Sequence, residues 1–276
     1  MKQKIQYMLK SLTPPIAHVL SLRFSGKETG FSGNYRTWDD ACRASGSYDT
    51  EVILNKVKDA LLTVKRGEAV YERDSVLFDK VEYSWPLLAG ILWVTSRNGN
   101  RLNLIDFGGS LGSTYYQNIK FLTHLVDLKW SIVEQKKFVE CGQSLFENER
   151  LKFYRNLNEC VGERHPDTIL FSSVIQYLEK PYELLADVIE RGFTYIIFDR
   201  TSFLKKGDDR ITVQKVPPDI YQASYPAWFF NRNKFLDFLR EKYELMAEFD
   251  SFESFRLEDQ IAQNKGFIFC KSHSGI

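Results

Sequence analysis

The chain has 276 residues, 43% of them hydrophobic and 26% charged, a composition that buries a core and excludes a disordered chain. Lys plus Arg number 37 and Asp plus Glu 36, so a net charge of +1 gives no electrostatic case for nucleic acid as the main partner. Aromatics reach 14%, which suits a large core and a site that handles flat or sugar-like ligands.

In chain order, residues 1–100 form an N-terminal region of their own, expected to be helical and to act as a lid. Lys2, Lys4, Lys10, Arg23 and Lys27 precede the first acid, Glu28. Such a run is either a solvated arm or a surface for weak contact with anionic lipid or an acidic partner. Phe31 to Trp38 reads as an aromatic loop, and helical period begins at Asp39. Thr50 to Lys65 is a helix with Val52, Ile53, Val57, Ala60, Leu61 and Val64 on one face. Tyr83 to Thr95 is a buried helix with Pro86 in its first turn, and Asn98 to Asn100 is a turn.

From residue 101 strands and helices alternate. The predicted strands are Leu102 to Phe107, Trp130 to Glu134, Leu151 to Tyr154, Thr168 to Ser173 and Phe193 to Asp199. The predicted helices are Tyr115 to Val126, Lys137 to Glu149, Pro181 to Arg191 and Asn233 to Tyr243. Leu245 to Phe249 and Gly266 to Cys270 close the chain as an antiparallel pair at a sheet edge. The expectation is an α/β, Rossmann-like domain over 101–276, with a seven-stranded, mostly parallel sheet covered on both faces. Residues 201–232 are too long for an ordinary connection, and their Pro217, Pro218, Pro226, Tyr221, Tyr225, Trp228, Phe229 and Phe230 suggest a substrate lid.

Cys42, Cys141, Cys160 and Cys270 form no C-x-x-C pair, and four scattered thiols fit a reducing compartment. His18, His124, His165 and His273 lack metal-ligand spacing, so no metal is expected. The longest apolar run, Trp85 to Val94, falls short of the ~20 residues of a membrane span, and Lys10 with Pro14 and Pro15 interrupts any signal-peptide core. The reading is a cytoplasmic protein.

Chemistry concentrates at Leu104-Ile-Asp106-Phe-Gly108-Gly-Ser-Leu-Gly112, a strand, a glycine turn and a helix start. Dinucleotide folds set pyrophosphate on such a turn. Here Asp106 precedes the loop, and an anion there favours a cationic ligand. S-adenosylmethionine carries an ammonium and a sulfonium. Glu134 ends the next strand, where an acid can accept hydrogen bonds from both ribose hydroxyls. A nicotinamide-dependent oxidoreductase is the competing reading of the same loop.

These blocks resemble a bacterial family of class I S-adenosylmethionine-dependent methyltransferase-like proteins, often encoded near surface-polysaccharide genes. The resemblance rests on Ser32-Gly-Asn-Tyr-Arg-Thr-Trp38, Tyr71-Glu-Arg-Asp74, Tyr83 to Gly90, Asp106 to Gly112, Val133-Glu-Gln135, Ser172 to Leu178, Asp199-Arg-Thr201, Gln214 to Pro218 and Tyr221 to Pro226. It implies methyl transfer to a sugar or glycan precursor, with S-adenosyl-L-methionine as cofactor. The middle glycine of the class pattern is Ser110 here. The cofactor site is then expected at Asp106, Gly108, Gly109, Ser110, Gly112, Glu134, Gln135, Tyr154, Ser172 and Ser173. In the N-terminal region, Arg36, Tyr71 and Asp74 are implied to close over the cofactor.

An alcohol acceptor must lose a proton, which calls for a general base. No histidine sits at a strand's carboxyl end, so Asp199 is the first candidate; its structural alternative is a salt bridge with Arg200 or Arg210. Tyr221 and Tyr225 are placed beside it as acceptor-orienting groups. Arg200, Lys215, Tyr177 and Trp228 are assigned to substrate. A non-catalytic binding module on the same fold is the second reading, from Ser110 and the absent histidine.

Overall fold

The computed structural model describes residues 29–46, 50–73, 76–78, 84–218, 220 and 222–272. The basic arm before Glu28, His18, Asp74, Tyr83, Tyr221 and His273 lie outside the described residues. The first elements are β1 (Gly30–Tyr35), α1 (Trp38–Ala44), α2 (Thr50–Lys65), the hairpin β2 (Tyr71–Arg73) and β3 (Val76–Phe78), and α3 (Trp85–Arg97). On α2, Ile53, Val57, Ala60 and Leu61 are buried at helical spacing, so one stripe meets the core.

The alternating part follows: β4 (Arg101–Phe107), α4 (Ser113–Leu122), β5 (Asp127–Val133), α5 (Lys136–Leu145), β6 (Leu151–Tyr154), α6 (Leu157–Arg164), β7 (Thr168–Ser172), α7 (Pro181–Arg191) and β8 (Tyr195–Leu204). A 3-10 turn, Ile175–Tyr177, separates β7 from α7. Then come β9 (Arg210–Lys215), β10 (Ser224–Asn231), α8 (Arg232–Arg240), β11 (Tyr243–Arg256) and β12 (Ile261–Lys271).

The central strands run β6-β5-β4-β7-β8-β12-β11. β4 to β8 are parallel, and β12 runs antiparallel to both neighbours. This is a Rossmann-like, doubly wound α/β architecture. The antiparallel pair expected at a sheet edge is β12 with β11, and β11 is the outermost strand. Successive side chains of each strand serve opposite faces. Leu104 and Ile197 pack with α2 to α5, whereas Ile105 and Ile196 pack with α6 to α8. Burying both faces explains the unbroken apolar runs. The chain order reverses between β4 and β7, the position where open α/β sheets form a ligand crevice at their carboxyl ends.

The segment 201–232, expected as a lid, is built as strands that enlarge the sheet to ten, and its Tyr225 and Pro226 bound a cavity described below. β8 runs five residues past Asp199, and β10 joins its far end in parallel through Phe230 and Asn231. β9 pairs antiparallel with β10, and β1 with β9. The aromatic loop read at Phe31 is therefore an edge strand, and the N-terminal region shares a sheet with the insertion. Arg210 fastens this extension: its guanidinium donates to Gly33 O at 3.0 Å and pairs with Glu258 at 2.9 Å and Asp259 at 2.6 Å.

Candidate functional site

The glycine turn after β4 takes left-handed backbone at Gly108 (φ 69°), Ser110 (φ 55°) and Gly112 (φ 106°). A Cβ on Gly108 would lie 2.3 Å from Val174 Cγ2, and one on Gly109 would lie 2.5 Å from Asp106 Cγ. Glycine is therefore required at both positions by contact, and at Gly108 by conformation as well. Gly112 starts α4, and its Cα faces Ile132 and Leu151 in the core.

Two adjoining cavities open at this edge and share Gly108, Glu134 and Ser173. The inner one holds about 200 Å³. The glycine loop, Ser172, Asp199 and Arg200 form its floor, and Ile53, Val57, Tyr71, Glu72, Ser84 and Leu87 cover it. The outer one holds about 750 Å³, within the usual range for a small-molecule site. Gln135, Arg155, Asn156 and Leu157 bound one side of it, and Trp38, Tyr177, Tyr225 and Pro226 bound the other.

Glu134 stands where the cavities meet. Burial raises its carboxyl above the ordinary value, and the backbone N–H groups of Gln135 and Ser110 that it accepts from oppose that rise. Two donors leave part of an ionised carboxylate's roughly four acceptor positions for a ligand's hydroxyls.

Asp106 is placed differently from its expected role. It is 1% exposed, lies beneath Gly109 and lines neither cavity. Trp130 Nε1 donates to its Oδ2 at 3.2 Å, while Oδ1 has no hydrogen-bond partner among the described residues. Burial pushes its carboxyl up to about 7, against the Trp130 hydrogen bond and the positive charge of Arg200. Asp106 supports the turn from below.

Asp199, 2% exposed, ends the β7-paired part of β8. Its Oδ1 accepts from Ser84 Oγ at 3.2 Å and its Oδ2 from Ser172 Oγ at 2.9 Å. Arg200 Nε lies 3.4 Å from Oδ2, so the ion pair forms with Arg200; Arg210 is engaged elsewhere. Arg200 itself has φ 52°, and Ser173 beside it has φ 56°. With Ser110, three of the five non-glycine residues of positive φ among the described residues line the inner cavity. The other two are Asn100 in a turn and His165 capping α6. Left-handed backbone costs such residues about 1 kcal/mol each and gathers at functional sites.

Of the remaining expected residues, Gln135, Tyr177 and Tyr225 line the outer cavity, and Ser172 and Ser173 the inner one. Tyr177 donates to Gln214 Oε1 at 2.9 Å and meets the Tyr225 ring edge-on. Arg36, Gly112, Tyr154, Lys215 and Trp228, like Asp106, line neither cavity. Tyr154 is buried, with its hydroxyl on Glu163 at 2.9 Å. Lys215 is exposed at the end of β9. Trp228 stacks on Trp38 and Phe230 and donates to Leu178 O at 3.0 Å. Trp38, Glu72, Ser84 and Asn156 were not singled out as site residues. Glu72 and Ser84 reach the site only through tertiary packing, whereas Asn156 carried a readable signal, a helix cap three residues before Glu159.

The sequence matches no protein-family model and no curated protein. Solved structures of similar shape include the N-terminal domain of EvdMO1 in the presence of SAH and D-fucose, 12% identical over 74% of this chain and 90% of that one, TM-score 0.47. An S-adenosylmethionine-dependent methyltransferase from Clostridium acetobutylicum is 10% identical over 78% and 98%, TM-score 0.46. The mitomycin 7-O-methyltransferase MmcR is 10% identical over 67% and 53%, TM-score 0.42. These are likenesses in the arrangement of strands and helices, and the chemistry of this chain is read from its own residues.

Proposed function

We propose that this chain is an S-adenosylmethionine-dependent methyltransferase that methylates a hydroxyl of a sugar or glycan precursor. The observation that carries the reading is the pair of cavities meeting over Gly108 and Glu134 at the switch point of the sheet. When bound, S-adenosylmethionine supplies a methyl group activated on a sulfonium. Glu134 takes the ribose hydroxyls, and Gln135 and Asn156 face the base in the outer cavity. Ile53, Val57, Leu87 and Phe138 exclude water from the inner one. Asp199 Oδ1, held by Ser84, receives the acceptor's proton, and Arg200 keeps the carboxylate oriented.

The Asp199–Arg200 ion pair also favours a second reading, a binding module, because both oxygens of the carboxylate are already engaged by Arg200, Ser84 and Ser172. Two measurements separate the readings. Calorimetric titration of the full chain with S-adenosylhomocysteine should give saturable heat, lost in Glu134→Ala and kept in His165→Ala. No heat from a folded sample removes both readings, and a preference for NAD in the same titration replaces them with the oxidoreductase. Labelled methyl should then pass from S-adenosylmethionine to the glycan precursors of a strain lacking this protein, whose surface glycan should lack one CH₂ unit. Binding without transfer leaves the module.

A further inference from the structure

The Asp199–Arg200 ion pair stands beside two residues of left-handed backbone, Ser173 just after β7 and Arg200 itself on β8. Neither is a glycine, so each conformation is costly and must be held by its surroundings. Ser173 N–H donates to Asp199 O at 2.9 Å, which ties the end of β7 to β8. Gln176, on the 3-10 turn Ile175–Tyr177, is 1% exposed and lines neither cavity. Its Nε2 donates to Arg200 O at 3.1 Å and lies 3.5 Å from Ser173 Oγ. One buried amide thus reaches both left-handed residues.

The other end of that amide shows why it is there. Gln176 Oε1 is buried and has no hydrogen-bond partner among the described residues. Turning the amide over would not help, because its oxygen would then face Arg200 O, acceptor against acceptor. An orphaned buried acceptor costs stability, and an apolar side chain of the same length would fill the space without that cost. The glutamine is therefore explained by its donor. We propose that Gln176 is a positioning residue for the ion pair. By holding the Arg200 carbonyl it fixes the peptide from which the guanidinium reaches Asp199 Oδ2 at 3.4 Å and Ser172 Oγ at 3.3 Å. Gln176 acts on the backbone of Arg200, whatever else the arginine side chain touches. That the acid so placed serves methyl transfer rests on the methyltransferase reading above; the placement itself does not.

The test follows the Arg200 Nε–H in nitrogen–proton NMR of the full chain, its signal identified by its loss in Arg200→Lys. In the wild type this proton should exchange slowly with water. Gln176→Met keeps the length and removes the donor; it should speed the exchange about tenfold or more while thermal unfolding stays cooperative. Should that variant fail to fold, Gln176→Asn, whose amide stops one methylene short of Arg200 O, should show the same gain. An unchanged exchange rate in either folded variant, or fast exchange in the wild type, would overturn the assignment. In methyl transfer, Gln176→Met should lower kcat about tenfold with KM within about twofold, as misplaced groups do. That loss should not add to the loss in Arg200→Lys, because both act through one group. Losses that add in full would also overturn the assignment. Wild-type protein with slow Arg200 exchange and no methyl transfer removes the methyltransferase reading instead, and the exchange comparison then decides the role of Gln176 by itself.

Discussion

The inner and outer cavities share three residues yet are built by opposite means. The inner one is small, with Ser110, Ser173 and Arg200 held in left-handed backbone and with ionisable groups locked to one another. The outer one has aromatic rings on one side, among them Trp38, Tyr177 and Tyr225, packed through ring contacts. Strain and buried charge cost stability and are maintained where atoms must be aimed; stacked rings stabilise and tolerate different guests. On the proposed reading, this contrast puts the chemistry in the inner cavity and the cofactor's base in the outer.

The largest effect that would test this division is on Asp199. Asp199→Asn should lower methyl transfer about a hundredfold or more while S-adenosylhomocysteine affinity stays within about threefold. A variant that still transfers methyl at the wild-type rate moves the chemistry elsewhere. The next effect concerns pH. Because burial raises the Asp106 carboxyl from 3.8 to about 7, the folded protein holds a proton that the unfolded chain has released between those values. Stability contributed by this group is therefore complete below 3.8 and is lost as pH rises through about 7. Urea unfolding of Asp106→Asn should show less of this loss across the same window, so that the variant gains on the wild type as pH rises. A constant difference between the two would place the charge in water. The smallest effect is Ser110→Gly, which relieves left-handed backbone on the inner floor. It should raise the thermal midpoint by about 2 °C for about 1 kcal/mol of relief, read by calorimetry, with cofactor affinity kept. A lower midpoint would show that the Ser110 side chain contributes more than its backbone costs.

Much of the frame was legible because local signals agreed with the fold. Pro181 marked the start of α7, and the glycine turn marked the passage from β4 to α4. The central strands read correctly because burial on both faces leaves continuous apolar runs. Helix α6 went unread: its eight residues contain Gly162 and few apolar positions, so no periodicity stands out, and its caps Asn156 and His165 are the only local marks. Strand β10 was hidden by Pro226, a residue that argues against strands. Its partner there is β9 alone, with β8 reached only at Phe230, so the missing N–H breaks no second ladder. Sequence also placed Glu134 at the end of β5, and it read Asp199 as a strand end, whereas β8 continues to Leu204 and only its ladder with β7 stops there. It could not tell on which side of the turn Asp106 falls, nor that Glu72, from a distant hairpin, reaches Ser113. Those are properties of packing across the sheet edge, and nothing in the local pattern encodes them.

One consequence follows from how β8 changes partners. Through Asp199 it is laddered to β7, and from Phe203 it is laddered to β10, while β12 follows it along its other side. Arg200 therefore falls after the last β7 pair, before the first β10 pair and at the register shift with β12, so its left-handed backbone interrupts no ladder.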